Sequence, residues 1–418
     1  MGNKKIPKIR FNNFKIDWQQ VKFKNLLNSE EGIRRGPFGS ALKKELFVQN
    51  SEYVVYEQQN AIYDHFNTRY RISEEKYHEL KKFILLPGDF IMSGAGTIGK
   101  ISLIPEGIEK GVFNQALIRL RVNKNTDKEF FLQWMRSPEM QNKLTKANPA
   151  SAMVNLVPMS EVKEWDVIVP SLDEQTAIGS LFRTLDNLLA SYKDNLANYQ
   201  SLKAAMLSKM FPKADQTVPE IRLDGFEGEW EINKLNKYLT VSKKKNTQQK
   251  FGKEDVLSVS GEVGIVNQIQ FQGRSFAGVS VEMYSIVDTG NIVYTKSPLK
   301  ANPYGIIKTN YGVPGIVSTL YAVYLPNENV FPGFVERYFE NDLRLNSYLK
   351  PLVNKGAKND MKVSDENALL GNVIFPKLEE QVAISDYFTN LDKFIQSHKD
   401  KISQLETLKK KLLQDMFV

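Results

Sequence analysis

The 418-residue chain is written twice. "PSLDEQTAIGSLFRTLDNLLASYKDNLANYQSLKAAMLSKMF" at 170–211 aligns without a gap, at an offset of 206, with "PKLEEQVAISDYFTNLDKFIQSHKDKISQLETLKKKLLQDMF" at 376–417, and 17 of 42 positions are identical. Further upstream, "IPKIRFNNFKIDWQQVKFKNLL" (6–27) matches "VPEIRLDGFEGEWEINKLNKYL" (218–239) at an offset of 212, sharing Pro7/Pro219, Ile9/Ile221, Arg10/Arg222, Phe14/Phe226, Trp18/Trp230 and Lys22/Lys234. Gly88-Asp89-Phe90-Ile91 echoes Gly290-Asn291-Ile292-Val293 more weakly. Such a duplication limits the fold to two like units, each a globular body followed by a helix.

The helices are read from periodicity. Large apolar residues fall at 178, 182, 185, 189, 192, 196, 199, 202, 206 and 210, alternating steps of four and three, and the second copy keeps the pattern from Ile384 through Met416. His398 stands where the first copy has Tyr192. Ser171-Leu172-Asp173-Glu174 is a capping-box sequence, and Pro212 stops the first helix. Rods of about 38 residues span ~57 Å and cannot bury a seam alone in water. The simplest arrangement is an antiparallel coiled coil of the two rods, with the bodies at opposite ends; the alternative is that each helix docks on its own body. Ile178, Phe182, Leu185 and Leu189, with Ile384, Phe388, Leu391 and Ile395, are the candidates for helix pairing and partner docking.

The bodies read as α/β (α+β). Short β-branched runs such as "EYVVY", "DFIM", "ALIRLRV", "GNIVY" and "YAVYL" are punctuated by Gly, Pro and Asn, with one helix near 127–143 and its counterpart near 334–349. The boundaries drawn are 1–165 and 218–370 for the bodies, 171–211 and 377–418 for the helices.

The formal charge is +8. The helical stretches are neutral (173–211) or −1 (379–418), which leaves +9 on the rest of the chain. Bodies that touch phosphate and rods that touch protein would be charged in this way. Candidate contacts are Arg34, Arg35, Lys43, Lys44, Arg69, Arg71, Lys100, Lys243, Lys244, Lys245, Arg274, Lys296 and Lys300. Amides are added because Gln and Asn can pair bidentately with adenine: Gln58, Gln59 and Asn60, and Gln268, Gln270 and Gln272, whose alternation with apolar residues suggests one face of a strand.

"SGAGTIGK" (93–100) satisfies G-x-G-x-x-G and nearly matches the phosphate-cradling G-x-x-x-x-G-K-[ST]. A phosphate loop must open a helix, but "ISLIPEGIEKG" follows, with β-branched residues, Pro105 and Gly107, and Ile101 stands where the magnesium-binding hydroxyl belongs. A tight turn is expected. There is no nucleophile elbow, H-E-x-x-H or defensible carboxylate pair. Zero Cys and three scattered histidines (His65, His78, His398) argue against disulfides and metal clusters and fit a reducing cytoplasm. "MGNKKIPKIR" has no apolar leader core, and no run approaches membrane-spanning length.

Taken together these features resemble the specificity (S) subunits of type I restriction-modification enzymes. The resemblance rests on "P-x-I-R-(F/L)…F…W" opening each body, "PGDFIMS" and "TGNIVYT" within them, "L-x-E-Q-x-A-I…F…L-D" after them (Leu172 to Asp186; Leu378 to Asp392), and on "GPFGSALKKE" (36–45) and "GVFNQALIRLR" (111–121). It spans nearly the whole chain. It implies two target-recognition domains, each reading half of a split double-stranded DNA sequence. It also implies spacer helices that dock two methyltransferase (M) subunits and, through them, restriction (R) subunits. Catalysis and the cofactors S-adenosylmethionine, ATP and magnesium would belong to those partners, with none bound by this chain. Two other readings are a duplicated adaptor for acidic proteins and a nucleotide-binding enzyme.

Overall fold

The computed structural model describes residues 7–94, 97–146, 158–213, 215–299, 302–355, 361–362 and 364–417. The duplication is visible strand by strand. In the first body a four-stranded antiparallel sheet runs in the order Ile33–Arg35, Leu117–Leu120, Phe90–Ser93, Ile101–Leu103. In the second body Leu239–Val241, Ala322–Pro326, Ile292–Tyr294 and Ile307–Thr309 take the same order. Each body is clasped at its base by a strand pair, Gln19–Lys22 with Asp166–Val169 and Glu231–Lys234 with Asn372–Phe375. The central strands are buried on both faces, which suits their largely apolar runs; Leu117–Leu120 is interrupted by Arg119, buried and paired with Glu31.

The Gly88/Gly290 echo is a shared turn. Both glycines adopt positive φ (+87° and +85°), which L side chains resist. The next residue closes the turn in each copy: an Asp89 carboxylate oxygen accepts from Leu86 N, and Asn291 Oδ1 accepts from Asp288 N.

Beyond the shared sheet the bodies diverge. The first adds Phe47–Val48, Arg71–Ile72, Tyr53–Tyr56 and Gly111–Phe113, whose last pair is parallel. The second adds the hairpin Leu257–Ser260/Gly264–Asn267 and the pair Ser285–Val287/Gly315–Val317. The single helix expected in each body is two: Lys128–Arg136 and Pro138–Lys146, then Pro332–Phe339 and Asp342–Leu349. Pro138 cannot continue a helix but is accommodated at the start of one, and Asn341 caps the helix it precedes by accepting from Arg344 N.

Two long helices, Leu172–Lys209 and Leu378–Asp415, complete the chain. They pair antiparallel. The chain divides into two compact units, residues 1–193 with 400–418, and 194–399. In the first unit Phe182 stacks on Phe417 (centroids 5.7 Å), Asp186 accepts from Lys409 (2.5 Å) and Lys193 pairs with Glu406 (2.7 Å). In the second unit the equivalent residues exchange roles: Phe388 stacks on Phe211 (6.1 Å), and Asp392 accepts from Lys203 (2.6 Å). Tyr199 lies against Phe394 and edge-on to His398.

Helix pairing and docking on a body occur together. Ile178, Phe182, Leu185 and Leu189 enter the core of the first body with Leu412, Met416 and Phe417. Ile384 and Phe388 enter the second with Leu207, Met210 and Phe211. The seam departs from the expected periodicity at one step. Leu202 and Leu408 face solvent, and Lys203 and Lys409 take their place, because each ammonium finds a carboxylate on the other helix. Both Glu174 oxygens, expected in the helix's own capping box, accept from Arg10.

Candidate nucleic-acid interface

The duplicated motifs meet at the root of each body. Arg10 of "P-K-I-R" donates Nε and an Nη to the two oxygens of Glu174 (2.7 Å each), and Arg222 does the same to Glu380 (2.8 and 2.7 Å). Both glutamates are buried. The neighbouring glutamines complete the joint. Gln175 accepts from Asp127 N and donates to Pro170 O, while Gln381 accepts from Phe331 N and donates to Pro376 O. The "E-Q" dipeptide therefore fastens the helix to the body, which accounts for its repetition. Its charge is spent inside the chain.

The cations proposed for phosphate fall into two groups. Arg35, Lys43, Lys44, Lys100 and Lys243 are exposed, and none forms an ion pair among the described residues. Others are engaged. Arg34 pairs with Glu31, a carboxyl that Arg119 holds below its ordinary range. Arg69 pairs with Glu57, Arg71 with Glu109 and Lys244 with Asp288. These pairs are exposed or half-exposed and weakened by solvent, so a phosphate can compete with the carboxylate for each cation. Lys296 is bound more firmly, to Asp365 at 2.6 Å, and Lys245 donates to Ser285 Oγ. Lys300 lies outside the described residues.

The amide candidates change more. Gln58, Gln59 and Asn60 lie on the helix Gln58–Tyr63. Asn60 is fully buried; its amide donates to His65 O and Asn67 O, and its carbonyl accepts from Glu57 N, so no edge is left for a base. Gln268, Gln270 and Gln272 do not share a strand face. They form the short helix Gln268–Gln272, begun by Asn267, which accepts from Ile269 N and Gln270 N, and closed by Gly273 at φ +77°. Local capping outweighed the period-two alternation. Gln270 and Gln272 are exposed, whereas Gln268 turns inward, accepting from Phe276 N (2.7 Å) and donating to Ser258 Oγ.

"SGAGTIGK", of which Ala95 and Gly96 lie outside the described residues, connects Phe90–Ser93 to Ile101–Leu103, strands paired antiparallel. Ser93 Oγ accepts from Lys100 N and donates to Thr97 O, and Gly99 takes φ +75°. A strand follows where a phosphate loop would need a helix N-terminus. Lys100 lines a cleft of about 400 Å³ with Tyr63, Asp64, Arg136 and Gln141, in which Arg136 already pairs with Asp64. Among the described residues no group of three or more His, Cys, Asp or Glu is placed to hold a metal ion, and no helix is long and apolar enough to cross a membrane.

The eight apolar helix candidates are all buried within the chain. Burial suits them to hold helices and bodies together and removes them from any partner. The apolar residues that do face solvent recur in equivalent positions, which the periodicity argument missed by assigning Leu202 and Leu408 to the seam. Leu188 and Leu408 are exposed in the first unit; Phe394 and Leu202, their counterparts at the repeat offset, are exposed in the second. The pairs Asp186–Lys409 and Lys193–Glu406 bracket Leu188 and Leu408, placing both at one level of the coil.

Residues 15–198 match the family model described as the type I restriction modification DNA specificity domain. The chain is 22% identical over 371 residues to the type I restriction enzyme MjaX specificity subunit of Methanocaldococcus jannaschii, covering 82% of this chain and 80% of that one. It is 25% identical over 215 residues to the EcoBI specificity subunit of Escherichia coli, covering 49% and 44%. Its fold is similar to that of the type I restriction-modification S subunit from M. genitalium, with a TM-score of 0.58 over 99% of each chain at 15% identity.

Proposed function

We propose that this chain is a specificity subunit of a type I restriction-modification system and that its two bodies each read one half of a split duplex DNA site. The chain is a DNA-recognition subunit and catalyses nothing itself. Its paired helices dock two M subunits, and R subunits join through these. S-adenosylmethionine, ATP and magnesium are bound by the partners, and the complex works in the cytoplasm.

The observation that carries this reading is the symmetry of what is exposed. Leu188 with Leu408 and Phe394 with Leu202 are the same two positions presented twice, so two copies of one partner would find equivalent footholds. The free cations sit instead on the bodies. Two reading heads on one scaffold multiply specificity, since each mismatched base pair costs ~1–3 kcal/mol roughly additively. An adaptor for acidic protein would share the basic bodies but would not discriminate among duplexes.

Body exchange tests this. The assembled complex should bind one bipartite duplex, with affinity falling steeply as salt rises. Replacing 218–370 with the corresponding body of another such subunit should change one half-site and leave the other intact. Binding indifferent to sequence and salt, or a change in both halves, would refute the reading.

A further inference from the structure

The second body carries a surface feature that helix docking and phosphate contact leave unexplained. Between Gln268 and Met283 the chain exposes Phe271, Phe276, Val279 and Met283, with Val279 97% and Phe276 56% accessible. This segment is braced at both ends. Gln268 holds Phe276 N and Ser258 Oγ, as described, and the Arg274 guanidinium lies 4.6 Å from the Phe276 ring centroid. At the far end the buried Asn246 amide donates to Val281 O (3.3 Å) and Phe251 O (2.8 Å).

An apolar patch displayed on a braced backbone marks a contact surface. Its surroundings indicate the partner. Asn246 ties the segment to the run Lys243–Lys245, where Lys244 O accepts from Ile286 N and Lys245 reaches Ser285. Residues 243–253 hold five lysines and no carboxylate, and in 268–284 Arg274 offsets Glu282. An apolar edge framed by cations complements a polyanion that also presents apolar faces, which is duplex DNA. Side chains such as Phe and Met beside Arg are the set that enters a minor groove and unstacks a base step.

We propose that this ledge is a wedge into the duplex. Phe276 and Val279 press into the minor groove and open one base step of the half-site read by the second body. Arg274 follows them into the groove, and Lys243 and Lys244 hold the flanking phosphates. Gln268 is a positioning residue, since its amide aims Phe276 and has no base edge to offer. The proposal rests on the DNA-reading function above and adds its mode: part of the specificity would come from how easily a step opens.

The test uses the full chain assembled with its M subunits, on the duplex found by sequencing methylated DNA from cells carrying the system. 2-Aminopurine is placed in turn at each adenine position of both half-sites other than the methylated bases, which the M subunits themselves extrude from the duplex. Fluorescence should rise at one step in the half assigned to the second body by body exchange. Phe276→Ala should abolish the rise and weaken binding about tenfold, as loss of one base-stacking aromatic does, without altering recognition of the other half. Val279→Ser, at a side chain almost wholly in solvent, should reduce the rise with thermal stability unchanged. The wedge is refuted if the wild-type complex binds tightly with no fluorescence rise in that half, or if both variants bind and unstack like wild type. It is also refuted if the M subunits alone protect a Phe276→Cys thiol from maleimide before DNA is added, which would make the ledge a protein surface. Failure of the wild-type complex to bind any duplex would instead overturn the DNA-reading function, and the wedge with it.

Discussion

Arg222→Met tests the joint between the second body and its helix. The substitution keeps most of the aliphatic stem and removes a guanidinium that makes two bonds to Glu380 and two more to Gly228 O and Glu227 O. Glu380 is 3% exposed, so no water shell replaces the lost cation. Breaking a buried pair by removing one partner costs ~3–5 kcal/mol, and the partial exposure of Arg222 points to the lower end, ~3 kcal/mol. For a unit of this size each kcal/mol moves the midpoint by about 2–4 °C, so a shift of about 6–12 °C is expected. Differential scanning calorimetry should show the loss in the transition of residues 194–399, while the equivalent Arg10–Glu174 joint leaves the other unit's transition in place. The double variant Arg222→Met/Glu380→Met should recover the part of the loss that comes from the stranded charge. A single-variant cost below ~1 kcal/mol, or a double variant less stable than the single, would show that the joint is not governed by burial of Glu380.

Leu188→Asp combined with Leu408→Asp should lower the M subunits held from two to one by sedimentation, at a stability cost of about 1 kcal/mol per substitution, since each leucine keeps roughly half its surface in solvent. The second unit should also be sensitive to acid through Glu340. Burial pushes that carboxyl's pKa up, but Arg337 and Lys203 outweigh burial and hold it below the ordinary range. A carboxylate depressed in the folded state stabilises above its unfolded pKa, and the contribution is lost as pH falls through the folded value. Chemical denaturation between neutral pH and pH ~3 should therefore show a smaller acid loss in Glu340→Gln than in wild type.

Much of this architecture was legible in the sequence because it was repeated. The helices and the Gly88/Gly290 turn each occur twice, so a pattern too weak to read once could be checked against its copy; the clasp strands lie in the repeated segments, but only the structure identified them as strands. Departures arose where tertiary partners decide. No period in the sequence says that Lys203 and Lys409 displace leucines from the seam, because the reason is a carboxylate on the other helix. Asn60 looked like a base-reading amide until its three backbone partners accounted for it. The 268–272 alternation misled because Asn267 and Gly273, each a local signal, outvote it. Beyond Gln272 the wedge segment had no periodicity to find; only exposure in three dimensions separates Phe276 from a core phenylalanine.

The division of the two helices between the compact units bears on how the chain folds as it is made. The second unit is one continuous stretch, 194–399, and every residue it needs has been synthesised by its end. The first unit is not continuous, since Leu412, Met416 and Phe417 fill its core beside Phe130 and Phe182. Synthesised first, it is therefore closed last, when the final helix arrives after a loop of about two hundred residues, a distance at which contacts are slow to form. A ribosome that stops between residue 400 and Leu412 releases a finished second unit and an open first one, its aromatic core still without Met416 and Phe417.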